Sequence, residues 1–152
     1  MEYILAPKDA GCIFCDKPKS NDDANNLVVY RGQRSFVMMN LYPYNNGHIL
    51  VAPYAHVPDL DAVDLQTQQE MLQLANQGMA IMRQDLQAQG FNFGTNIGVA
   101  AGAGIEEHVH FHVVPRWVGD TNFMPVLGET KVQVQSLRET RNLLAEKYKE
   151  SR

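Results

Sequence analysis

Long apolar runs are missing from this chain. No stretch approaches the roughly 20 residues that a bilayer crossing needs, and the N-terminal MEYILAPKDAG is too short and too interrupted for a secretion signal. The expected compartment is therefore the cytoplasm, where thiols stay reduced. Cysteine is also scarce: Cys12 and Cys15 are the only two. Their C-x-x-C spacing makes a structural disulfide the weaker reading and a metal site or a redox dithiol the stronger one. Positive charge is in short supply as well, with 13 Lys and Arg against 17 Asp and Glu and a net charge of -4. A general nucleic-acid binder needs clustered cations, so that class is disfavoured. A small anionic ligand remains compatible, because backbone amides and one or two cations suffice to hold it. Repeats, low-complexity tracts and Pro/Ser linkers are absent, so residues 1–152 read as one domain.

What is present is a hydrophobic content of 45% arranged in recognisable periods. The apolar runs Leu27 to Tyr30 and Ser35 to Met39 read as strands joined by a hairpin turn at Gly32. A third run, His48 to Pro53, follows the turn-rich YPYNNG. Leu72, Ala75, Met79, Met82 and Leu86 recur every three or four residues, which predicts a helix with Asp64 as N-cap and Gly90 as stop. Phe91 to Gly98 returns to strand character, a Gly/Ala stretch follows, and a C-terminal helix is predicted over about 134–149, with Leu137, Leu144 and Tyr148 on one side. Strands separated by one long helix, without βαβ alternation, predict an α+β fold with a mostly antiparallel sheet.

Three of the five histidines fall in the segment HVHFHVVP. In a strand, His108, His110 and His112 line one face while Val109, Phe111 and Val113 enter the core. A regular strand puts His108 and His112 about 13 Å apart, too far for one ion that holds nitrogen at about 2.0–2.1 Å. Two adjacent members can share a metal, as in cupin-like H-x-H sites. The row as a whole suggests divided labour. A neutral imidazole is a nucleophile for an activated phosphorus, and a neighbour on the same face can serve the phosphate or the departing oxygen.

HVHFHVVP, with Pro115 and Arg116, resembles the signature of the histidine triad (HIT) family. A second block, MMNLYPYNNGHILVAPYAHV, resembles that family too, and the resemblance runs from Cys12 to about Lys131. It implies a HIT-like fold with one long central helix and a C-terminal helix. It also implies that His110 is the nucleophile that becomes nucleotidylated. His112 would contact the phosphate or bridging oxygen, and His48 would support the triad. Asn40 matches the position that holds the ribose hydroxyls, while Met38, Leu41 and Phe14 match residues that wall the base pocket. Gly102 and Gly104 lie in the stretch that resembles the loop approaching the α-phosphate. GVAAGAGIEEH is one residue longer than in the fragile-histidine-triad branch, and Asn96 is the candidate for its upstream polar residue.

Several branches carry a structural zinc, and the matching ligands here are Cys12, Cys15, His56 and His108, in a segment reaching back to about residues 8–20. The stretch after the triad, Pro115 to Val132, looks most like the dinucleoside polyphosphate phosphorylase and hydrolase branch. In it, Arg116 is a candidate for serving the polyphosphate, and Trp117 for capping a base or a dimer edge. The implied activity is cleavage of diadenosine tetraphosphate-like substrates. A purine nucleoside phosphoramidase or broad nucleotide hydrolase, or a nucleotide-binding module with little turnover, is the alternative. Zinc is the one implied cofactor, none is implied for catalysis, and a homodimer paired through the long helix and adjacent strand is the expected assembly.

Overall fold

The computed structural model describes residues 11–120 and 130–151, with the backbone alone for 130–136. The elements are α1 (Ile13–Lys19), β1 (Val28–Arg31), β2 (Ser35–Met39), β3 (Ile49–Pro53), α2 (Leu65–Asp85), β4 (Gly90–Gly94), β5 (Phe111–Arg116) and α3 (Thr130–Glu150). The five strands form one antiparallel sheet in the order β1-β2-β3-β5-β4. The expected α+β architecture is therefore what the chain adopts.

Alternation along the strands sorts side chains onto two faces. Val37, Met39, Ile49, Val51, Phe111 and Val113 face α2 and α3 in the larger core cluster. Val28, Phe36, Met38, Leu50 and Ala52 face α1 in the smaller one, with Cys12 and Phe14. The β1–β2 turn closes with the Gly32 amide donating to the Ser35 carbonyl at 2.8 Å. The Glu70 carboxylate of α2 holds that turn by accepting from the Gln33 and Arg34 amides and from the Ser35 hydroxyl.

Asp64 caps α2, its side chain accepting from the Thr67 amide at 2.8 Å, as the sequence suggests. Two expectations for this helix are corrected. The buried face runs through Met71, Leu74, Ala75, Gly78, Ile81 and Met82, whereas Leu72 is exposed. Both rows have helical spacing, and packing against the sheet and α3 selects the one containing Gly78. A side chain there would meet the Tyr148 hydroxyl at 2.5 Å. The helix also ends at Asp85 rather than at Gly90, because the chain turns through Gln87 at φ 52 and Gly90 already pairs with Arg116.

The C-terminal helix begins at Thr130, earlier than expected. Leu137, Leu144 and Tyr148 are buried as anticipated, and the Tyr148 hydroxyl donates to the Leu74 carbonyl at 2.7 Å. Trp117 is packed: its indole N–H donates to the Leu86 carbonyl at 3.1 Å and its ring lies on the larger core. A half-buried Trp satisfies both its apolar body and its one donor in this way. Among the described residues no helix is long and apolar enough to cross a membrane.

Candidate active site and metal centre

The triad straddles the start of β5 instead of lying wholly within it. The ladder with β3 runs through Val51–Phe111 and goes no further. The next position on β3 in that alternation is Pro53, which has no amide hydrogen to donate. The Pro53 carbonyl is used all the same, by the side chain of His108 at 2.8 Å. Val109 donates its amide to Val57 at 2.8 Å and stays buried in the larger core. The backbone thus remains extended enough to leave His110 and His112 beside each other, with ring centroids 4.9 Å apart.

Hydrogen-bond partners assign the tautomer of each histidine. His110 places Nδ1 2.8 Å from the His108 carbonyl, which can only accept, so Nδ1 carries the hydrogen and Nε2 keeps a lone pair. His48 accepts the Tyr44 amide at Nδ1 (3.2 Å), so its hydrogen sits on Nε2, 3.0 Å from Nδ1 of His112. His112 must accept there and, when neutral, carries its own hydrogen on Nε2. Burial keeps these rings uncharged: His110 is pushed down to about 4 and His48 to about 3, and His112 is also lowered. At neutral pH the pair therefore offers one nitrogen lone pair and one N–H donor.

A cavity of about 590 Å³ opens onto this pair. Phe14, Met38, Leu41 and Leu50 supply apolar wall, while Asn40, Asn96, Gly102 and Gly104 also line it. Every predicted substrate-binding residue is thus brought to one place. Phe14 is almost wholly buried, its ring centroid 4.4 Å from that of His110. Asn40 is buried too, and its side-chain carbonyl accepts the Tyr42 amide at 3.0 Å. Gly102 is left-handed at φ 87 and a Cβ there would meet nothing within 4 Å, so the loop presents bare backbone.

Two neighbours escaped the sequence reading. Thr95 donates its hydroxyl to the His110 carbonyl at 2.7 Å, holding the triad backbone from just beyond β4. Tyr44 stacks on His48 with centroids 5.1 Å apart and lines two cavities. Its only sequence signal was the turn-rich YPYNNG. That turn depends on Gly47, at φ 89, where a Cβ would lie 3.1–3.3 Å from Pro115, Met82 and Leu86. Arg116, by contrast, is not a free cation. Nε and Nη2 bind Asp120 at 2.8 and 3.0 Å, and Nη1 binds Asn92 at 2.6 Å.

On the other side of Phe14, four donor atoms from Cys12, Cys15, His56 and His108 lie within 4.8 Å of one another. His108 spends Nε2–H on Pro53, which leaves Nδ1 bare toward the cluster. Nδ1 of His108 is 3.4 Å from Cys12 Sγ, 3.6 Å from Cys15 Sγ and 3.2 Å from Nδ1 of His56. Tetrahedral Zn–S bonds of about 2.3 Å and Zn–N bonds of about 2.0–2.1 Å require ligand atoms roughly 3.3–3.8 Å apart. Spacing and tautomer both fit that ion.

The family follows from residues 21–118, which match the HIT domain. This chain belongs to the HIT family. It is 42% identical over 136 residues to an AP-4-A phosphorylase of Mycobacterium tuberculosis, an alignment covering 89% of this chain and 69% of that protein. Among solved structures it is similar to a zinc-bound histidine triad family protein of Mycobacterium smegmatis, at 27% identity and TM-score 0.67, covering 90% of this chain and 94% of the other. The fold is likewise that of a histidine triad nucleotide-binding protein of Sulfolobus tokodaii, with TM-score 0.71, 24% identity, and 91% and 93% of the two chains covered.

The His48 geometry predicts acid sensitivity with a definite sign. The ring is held near 3 in the fold against 6.5 for the ordinary side chain. The unfolded chain therefore takes up the proton first, and stability that is complete above pH 6.5 is lost as pH falls. Between pH 7 and pH 5 this one ring costs about 2 kcal/mol of stability. Urea unfolding of wild type and His48→Asn at both pH values should show the variant losing less by that amount. An equal loss in the two proteins would show that His48 is not buried neutral.

Proposed function

We propose that this HIT protein cleaves diadenosine tetraphosphate-like substrates at a phosphoanhydride through a covalent nucleotidyl intermediate on His110. The observation that carries the reading is the complementary tautomer pair facing one cavity, a lone pair on His110 Nε2 beside an N–H on His112 Nε2. In the first step Nε2 of His110 attacks the α-phosphorus, forming a P–N bond as the P–O bond to the bridging oxygen breaks. The leaving nucleotide departs with that oxygen as a phosphate anion, to which the His112 Nε2–H donates a hydrogen bond while keeping its hydrogen. His48, fixed by Tyr44, keeps His112 in the donating tautomer. An anionic oxygen of the acceptor phosphate then attacks phosphorus as the P–N bond breaks and its electron pair returns to His110 Nε2, so no proton is transferred in this step.

Similarity to the AP-4-A phosphorylase favours inorganic phosphate as acceptor, with ADP and ATP as products. Asn40, Met38, Leu41 and Phe14 bind the retained nucleoside, and Gly102, Gly104 and Asn96 meet its phosphate. The deciding assay incubates the protein with diadenosine tetraphosphate, with and without phosphate, and resolves the products. ADP and ATP formed only with phosphate is the expected result. AMP and ATP without it would make the enzyme a hydrolase, and tight AMP binding without turnover would reduce it to a binding module.

Cys12, Cys15, His56 and His108 would hold a structural zinc, which when bound supplies a closed four-ligand shell and no open position for chemistry. Three separate segments meet there: α1, the loop after β3, and the residues that lead into His110. The chain is also expected to work as a homodimer. β4 lies at the edge of the sheet, where a second copy can continue the ladder. Met82 is in the core and Met79 packs against it, so the helix surface left for a partner would include the exposed Leu72. Sedimentation at micromolar concentration should give the mass of two chains; the mass of one would remove the dimer.

A further inference from the structure

A second cavity of about 650 Å³ begins on the far side of His112 and follows β5 away from the nucleotide pocket. Its floor is set by the register. Asn92 pairs with Val114 and Gly94 with His112, so these residues share the sheet face that carries the triad. Phe93 falls on the opposite face, where its ring meets Phe111 edge-on at 5.3 Å. Tyr44 and Asn96 line both cavities, so the two join at His112. A leaving group displaced from a phosphorus beside His110 and His112 has this groove as its continuation.

The charge of the groove says what can rest in it. Among the described residues Arg116 is the one cation of the lining, and three of its five N–H donors are committed to Asp120 and Asn92. Asp120 is held well below the usual carboxylate range, by Arg116 first and then by the Trp117 amide, so it stays ionised and paired. Carboxamides, Thr95, Val114, His112 and the exposed Tyr44 ring are among the rest. Such a lining of aromatic, amide and aliphatic groups suits an uncharged heterocycle and sugar, and among the described residues it offers a terminal phosphate no unpaired cation.

We propose that this groove is a second subsite, which holds the nucleoside of the leaving nucleotide and makes the enzyme select dinucleoside over mononucleoside polyphosphates. The inference rests on the reading of His110 as the attacking residue. Gly94 keeps the groove open: its φ lies outside the left-handed region and a Cβ there would meet nothing within 4 Å. Gly94→Val therefore fills the groove without backbone strain, and Asn92→Trp, at an exposed strand position, fills it further from His112.

Three substrates share one reacting phosphorus and differ in what leaves: diadenosine tetraphosphate, adenosine tetraphosphate, and the phosphorofluoridate of AMP, which loses only fluoride. Wild type should show a KM at least about tenfold lower for the first than for the second. Both variants should raise the KM for diadenosine tetraphosphate about tenfold or more, while kcat/KM for the fluoridate stays within twofold. Equal KM values for the two tetraphosphates in wild type would overturn the proposal. So would variants that lose activity on the fluoridate in equal measure, or whose defect is confined to the KM for phosphate. Turnover of the fluoridate by wild type tests the His110 reading separately, so the two failures are distinguishable.

Discussion

Replacing His110 by Ala should abolish turnover of diadenosine tetraphosphate, by about ten-thousand-fold or more in kcat, and leave nucleotide binding within about threefold. The split follows from where the ring sits. Its imidazole supplies the one lone pair that the triad's hydrogen bonds leave bare toward the cavity, whereas Met38, Leu41 and Leu50 make the apolar wall without it. Burial lowers its basicity to about 4, so little of the nucleophile is lost to protonation at neutral pH. His112→Ala should cost less, about a hundred- to a thousandfold, since it removes one donor at the leaving oxygen and not the attacking atom. Rapid quenching of wild type should trap an acid-labile AMP adduct on the peptide containing His110. His110→Ala activity within tenfold of wild type would remove this residue as nucleophile.

Protein purified without added metal should contain about one zinc per chain, and Cys12→Ala should contain almost none. Cys12 is buried beside Phe14, whose ring in turn lies against both His108 and His110. Losing the ion should therefore be felt as stability first and as misplacement of the triad second. A metal present at about a thousandfold over its Kd adds about 4 kcal/mol. For a chain of this size that is about 10 °C in Tm, and strong chelation of wild type should reproduce the drop. Substoichiometric zinc that Cys12→Ala leaves unchanged would sink the assignment.

Much of the architecture was legible because local chemistry and global packing agree. Ser35 to Met39 is a strand with the limits its apolar run suggests, and Asp64 caps the helix it precedes. Leu137, Leu144 and Tyr148 have helical spacing and are buried. Disagreement arose where two local readings were equally good. α2 carries two apolar rows, and only the close approach of Tyr148 and Ile49 at Gly78 decides which faces inward. Gly90 looks like a helix stop, yet its pairing with Arg116 makes it the start of a strand.

The three histidines show the same division most sharply. The sequence by itself determined that three imidazoles would lie in one row, that alternate residues would anchor that row in the core, and that two cysteines and a distant histidine stood available for one of them. Residue type alone could not determine what each ring does, because the three side chains are chemically identical; only the resemblance to HIT sequences gave each a different expected role. Tertiary structure separates them through the partner of one nitrogen in each. A Pro53 carbonyl turns Nδ1 of His108 to the cysteines, the His108 carbonyl bares Nε2 of His110, and His48 leaves His112 a donor. Where the proton sits is a property of the acceptor or donor opposite, and those groups lie as far as 64 residues away in the chain.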